Sequence, residues 1–150
     1  MAVVRDIEQQ VEDAFVGVLG AYADITGSAT VRHWKDASVA KTYPVVAVHC
    51  SPVDNDPANP QPSTSVNLYV AQVEIGALTY QHDDPEQEMA RYLIGCVRDC
   101  LCAAGILASL DAVTGVDTTF HGLTLAGGSH AVDMENVNQI SLTATCHLSL

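Results

Sequence analysis

Two stretches of the chain repeat apolar residues every three or four positions, and several shorter ones alternate or run apolar over strand length. Val4, Ile7, Val11, Ala14, Phe15, Val18, Leu19 and Tyr22 draw one stripe and predict a first helix over residues 3–24. Gly17 and Gly20 lie inside it at a cost on the order of 1 kcal/mol each, and they are expected to let it pack closely on the second helix. That second helix is predicted over residues 84–105. Asp84 serves as N-cap, Pro85 suits the first turn, Gln87 can complete a capping box, and Gly105 is the stop. Met89, Leu93, Cys96, Val97, Cys100, Leu101 and Ala104 form its apolar stripe, and its length of about 30 Å would cross a whole sheet.

Strand patterns fill the rest. Residues 29–34 and 43–50 predict two strands, the second opening with Pro44, where a missing N–H is tolerable. Residues 66–78 predict a long strand whose apolar phase changes from Val66, Leu68 and Val70 to Val73, Ile75 and Ala77, which a bulge near Ala71 or Gln72 would reconcile. Residues 106–112 form a short apolar linker with room for one helical turn, residues 115–125 a weaker strand, and residues 126–133 a turn. Ile140, Leu142, Ala144, Cys146 and Leu148 alternate with polar residues in a half-buried closing strand. The order α, β, β, β, α, β, β implies an α+β fold. Its sheet has four to five strands, antiparallel or mixed, and both long helices pack on one face.

Four of the six prolines fall in Ser51 to Ser65, a turn-rich surface loop between strands. Within it Asp54, Asn55, Asp56, Asn59 and Gln61 are the candidate interface residues, because a long polar loop has little place in a compact core.

At 150 residues the chain suits one domain that needs no disulfide or metal to hold it. With 48% hydrophobic and 16% charged residues it is neither disordered nor membrane-spanning, and its first residues are unlike a signal peptide, so cytosolic synthesis is expected. The net charge of −12 and only 5% aromatics argue against tight nucleic-acid binding.

The candidate chemistry is sparse. Cys50, Cys96, Cys100, Cys102 and Cys146 are odd in number and lack framework spacing, so they read as reduced, buried thiols. Cys96, Cys100 and Cys102 cannot all face one ion on a helix. His49 beside Cys50 and His147 beside Cys146 lie on strands and point to opposite faces from their neighbours. Ser129, His121, His130 and Asp133 could assemble as a nucleophile group, but Gly127, Gly128 and Ser129 suit a hairpin turn better. Asp83, Asp84, Glu86 and Glu88 could attract a divalent cation, yet helix capping alone would place acids there. No catalytic residue, metal or cofactor is expected.

The whole layout resembles the tail terminator, or tail-completion, proteins of long-tailed bacteriophages and the related neck proteins. The resemblance rests on residues 4–22, 43–50, 66–78, 86–104 and 140–150. It implies a non-enzymatic virion protein, assembled in the host cytoplasm, that forms a hexameric ring on the tail tube. The ring would cap the tube protein and receive the head connector or head-closure protein, while DNA passes through without specific binding and no membrane is involved. The proline-rich loop and the acidity depart from that pattern. The competing readings are a head-closure or other neck subunit and, from another class, a small cytosolic enzyme or ligand-binding domain using His49, Cys50 or the Ser129 to Asp133 loop.

Overall fold

The computed structural model describes residues 6–34, 43–55, 68–113, 118–132 and 136–149. Helix α1 is Ile7–Gly20 and α2 is Ala23–Thr26. Strands β1 (Thr30–His33), β2 (Val45–Cys50), β3 (Asp54–Asn55) and β4 (Leu68–Tyr80) follow. Then come α3 (Glu88–Leu101), α4 (Ile106–Asp111), β5 (Thr119–Val132) and β6 (Val137–Ser149). The strands join one mixed sheet in the order β1-β2-β4-β6-β5, with β3 also beside β4. Only β1 and β2 run parallel. The expected α+β class is the class observed.

Asp6 caps α1 by accepting the Gln9 N–H at 2.8 Å. Val11, Ala14, Phe15 and Leu19, spaced at three and four, are fully buried against the sheet. The helix stops earlier than expected, at Gly20, because the Ala21 and Tyr22 N–H groups turn back to the carbonyls of Val18 and Leu19. This tightened turn lets Ile25 of α2 enter the core. Gly17 makes room for the Val113 side chain rather than for the second long helix: a Cβ there would lie 2.8 Å from Val113 Cγ1.

Helix α3 also begins later than the sequence suggests. Residues 81–87 form turns, and Gln87 adopts a left-handed conformation, φ 60°, immediately before the first helical residue. Asp84 still caps the helix, from four residues upstream. Its Oδ1 accepts the Met89 N–H and its Oδ2 the Ala90 N–H, both at 3.1 Å. The expected capping box is absent. Gln87 instead donates from Nε2 to Asn138 Oδ1, and Asn138 donates to the Asp84 carbonyl at 2.7 Å and to Thr79 Oγ1 at 3.2 Å. These bonds tie the start of α3 to β4 and β6. The helix has 14 residues, about 21 Å, shorter than expected. Its buried stripe is Ala90, Leu93, Ile94, Cys96, Val97, Cys100 and Leu101, whereas Met89 and Ala104 are exposed. Gly105, with φ 78°, does not end α3; it precedes α4.

Strand β4 is the sheet's axis. It pairs one for one with β6 from Leu68↔Ser149 to Tyr80↔Val137, without the expected bulge at Ala71 or Gln72. The pairing runs straight through the change of phase, with Leu68 and Val70 only half-buried. Ala71, Val73, Ile75 and Ala77 face the helices in the main core. On the opposite face Leu78 joins Val45, Ala47 and Val137, with Trp34 and Tyr43 packed against them.

Residues 126–132, expected with Asp133 in a turn or short loop, are strand instead, and Asp133 lies outside the described residues. Gly127 and Gly128 lie inside the continuous strand β5, where the pairing with β6 shifts register between Gly127 and His130. Phe120 of β5 meets Phe15 of α1 edge to face at 6.2 Å, which anchors this side of the sheet under the first helix.

Candidate interaction surfaces

Past the end of β1, the protein's own carboxylates cover the last backbone N–H of β2 and one just after it. Strand β1 ends at His33, opposite Val48, so the last residues of β2 outrun it. Glu8 and Glu12 lie one helical turn apart on α1 and face this stretch. Glu12 Oε2 accepts the Cys50 N–H at 2.8 Å, and Glu8 Oε1 accepts the Val53 N–H at 3.1 Å. The other Glu12 oxygen lies 3.1 Å from His33 Nδ1, and His33 Nε2 lies 3.1 Å from Asp13 Oδ1. The sequence reading missed Glu8, Glu12 and His33 as a group, since their partners are far away along the chain. Spacing of Glu8 and Glu12 by four residues was the available signal.

This edge leads into the proline-rich segment. Asp54 and Asn55, expected in a free loop, pair with Val70 and Tyr69 as β3. Asp56, Asn59 and Gln61 lie outside the described residues. The beginning of the segment is therefore ordered against β4 and α1 rather than detached from the domain.

Among the described side chains, the residues considered for chemistry are not brought together. Cys50 is buried; burial, then the nearby acids Glu12, Glu8 and Asp6, push its thiol up to about 12. It remains a thiol at neutral pH, donating to the Ser51 carbonyl at 3.3 Å, and is the opposite of an activated nucleophile. His49 is exposed on the other face, its Nδ1 3.7 Å from Glu12 Oε2. Cys146 is likewise pushed up to about 12 by burial and by Cys50. Cys96 and Cys100 are buried, while Cys102, expected to be buried, is exposed. His121 Nε2 lies 2.8 Å from Ser149 Oγ, and Asp133 lies outside the described residues.

Among the acids before α3, Asp84 is fully engaged. Burial alone would raise its carboxyl, but the N–H groups of Met89 and Ala90, the Thr79 hydroxyl and the Glu88 N–H outweigh burial and hold it below its ordinary range. Among the described residues no group of three or more His, Cys, Asp or Glu side chains is placed to hold a metal ion. Nor, among them, is any helix long and apolar enough to cross a membrane.

Among the described residues, two open surfaces bear on interaction. An apolar groove of about 460 Å³ lies between the end of α1 and the α3–α4 turn, lined by Val18, Tyr22, Cys100, Ile106 and Val113 among others. At the far edge of the sheet, β5 has a strand neighbour, β6, on one side only among the described residues. Thr124 and Ala126 on this strand are exposed.

No protein-family model matches the chain, and no curated protein matches it significantly.

Proposed function

We propose that this chain is a structural virion subunit of the tail-terminator type, which forms a ring on a tail tube and presents the surface that joins tail to head. The observation that carries this reading is the one-sided layering. Both long helices and the main core lie on one face of a mixed sheet, in the element order on which the resemblance to tail-completion proteins rests. Such a slab has two sheet edges, which suits lateral repetition around a ring. The absence of an activated nucleophile at Cys50 favours this role over the cytosolic enzyme considered from the sequence.

In a ring of six, each copy carries a formal charge of −12, so assembly requires the acids to face solvent, basic partners or the channel. Acids on the channel wall would repel phosphates and let DNA pass without sticking. The proline-rich segment, anchored at β3, is the docking element toward the tube or the next subunit.

The test is the mass and shape of the full-length protein, alone and co-expressed with the tail-tube gene of its own genome. Rings seated on tube ends are the expected result. A monomer at every concentration, with tubes left uncapped, would reject the proposal. Deleting Ala58 to Pro62, which leaves β3 intact, should preserve the fold and reduce capping.

A further inference from the structure

Acids reach the backbone on both sides of the sheet, and on the β5 side Asp111 of α4 accepts the Phe120 N–H at 2.8 Å. On the other side, past the end of β1, carboxylates of α1 occupy the N–H groups of Cys50, the last residue of β2, and of Val53. At the β5 edge, the strand is 14 residues long and carries neither lysine nor proline, the residues with which soluble proteins blunt a free edge. Its register shifts lie at Phe120/Gly122 and Gly127/His130, and between them Gly122 to Gly127 pair one for one with His147 to Leu142. Beyond Phe120, this leaves a regular stretch of edge with no strand beside it among the described residues.

Charge sets the same region apart. The chain has a net charge of −12, yet there is no Asp, Glu, Lys or Arg from Thr118 to Val132 or from Asn136 to Ser149. The acids stand elsewhere: Glu8, Glu12 and Asp13 on α1, Asp83 to Glu88 before and at the start of α3, then Asp99 and Asp111. The strands β5 and β6 themselves carry no charged residue, while Asp117, Asp133 and Glu135 adjoin them in sequence and Glu74 of β4 pairs with Thr143 of β6.

We propose that β5 is an assembly edge, to which an extended segment of a second copy of this chain adds as a further strand. Two copies of an acidic protein repel each other wherever acids face acids, and repulsion is least where both the edge and its flanking face are uncharged. A basic partner would gain nothing here and would be drawn to the acidic helices instead. Nucleic acid would find no lysine or arginine to hold its phosphates. The N–H and C=O groups of Gly122 to Gly127 that point away from β6 supply backbone affinity to any strand, and Thr124 and Ala126 are small enough to let one approach. The inference goes beyond the ring reading, since it assigns a surface and does not depend on six copies or on a tail.

The experiment uses the full-length chain, with sedimentation across a wide concentration range and amide hydrogen exchange on the same samples. Two variants of equal charge change are compared: Thr124→Lys with Ala126→Lys, and Glu86→Gln with Asp99→Asn as the control. Self-association of the native chain with new protection over residues 122–127 is expected. The lysine pair should weaken it by about tenfold or more, and the control should not weaken it. Circular dichroism checks that the lysine pair folds; if it does not, protection in the native chain decides. Association with β5 amides still exchanging freely overturns this inference and leaves the ring reading standing. Association through β5 that stops at two copies does the reverse, and a chain monomeric at every concentration overturns this inference, while the ring reading falls only if tube ends are also left uncapped.

Discussion

The Glu12 carboxylate accepts the backbone N–H of Cys50 at 2.8 Å, so a helix side chain completes a strand edge where the neighbouring strand has run out. Glu12→Ala would leave a part-buried N–H unpaired and remove the contact with His33. The expected loss is about 1–3 kcal/mol, with Glu12→Gln losing less because its amide oxygen can still accept. Urea unfolding of the two variants measures this, and equal midpoints for native and Ala proteins would refute it.

Asp84 makes stability depend on acid. Its carboxyl is held below the ordinary value in the folded chain, whereas in the unfolded chain it titrates near about 3.9. The stabilisation is therefore fully present above that value and is lost as pH falls through the lower, folded value. Asp84→Asn should melt earlier than the native protein at pH 7, by about 1–3 kcal/mol, and the gap should narrow below about pH 3.9. Melting temperature against pH for both proteins gives the answer; a constant gap down to strong acid would contradict the role.

Thiol labelling should distinguish the cysteines sharply. Cys102 is exposed and should react in the native protein, while Cys50 and Cys146, buried and pushed up to about 12, should react only on unfolding. Cys100, raised by burial, should also be slow. Cys100→Asp should be strongly destabilising, since it would place a carboxylate in the core without a partner. Peptide mapping after a short exposure to a maleimide reads all of them in one experiment, and rapid modification of Cys50 would be the adverse result.

At Gly128 the backbone of β5 passes so close to β6 that a Cβ would run into the Ser141 carbonyl. Gly128→Ala should cost about 1–3 kcal/mol by forcing the two strands apart, whereas Gly127→Ala, where a Cβ meets open space, should cost little. Thermal unfolding of the pair separates close approach from a general loss of glycine.

The elements legible in the sequence were those whose periodicity is local. The stripe Val11, Ala14, Phe15 and Leu19 predicted α1, and the alternation of Leu142, Ala144, Cys146 and Leu148 predicted β6. Errors arose where a distant partner decides the outcome. Asp84 looks like an N-cap and is one, but Asn138 of β6 holds the intervening turn and delays the helix. Gly127 and Gly128 look like a turn, yet β6 carries the strand through them with a register shift. The phase change in β4 suggests a bulge, yet β6 pairs with it one for one and Leu68 and Val70 stay half-buried. As for surfaces, the loop residues Asp54 and Asn55 were visible as polar turn formers, but nothing near them in sequence announces Tyr69 and Val70 as strand partners.

The position of β6 has a consequence for how the molecule comes into being. This strand lies between β4 and β5, both of which precede it in the chain. A ribosome can release α1, the β2–β4 pair and α3 one after another, but β5 has no sheet to join until residues 137–149 emerge and slot in beside β4. Until that moment the apolar face of β4 and the stripe of α3 lack half of their floor. Synthesis therefore passes through a long interval of exposed hydrophobic surface, ended in a single late closure, and that interval is when the chain is most open to aggregation and to chaperone capture.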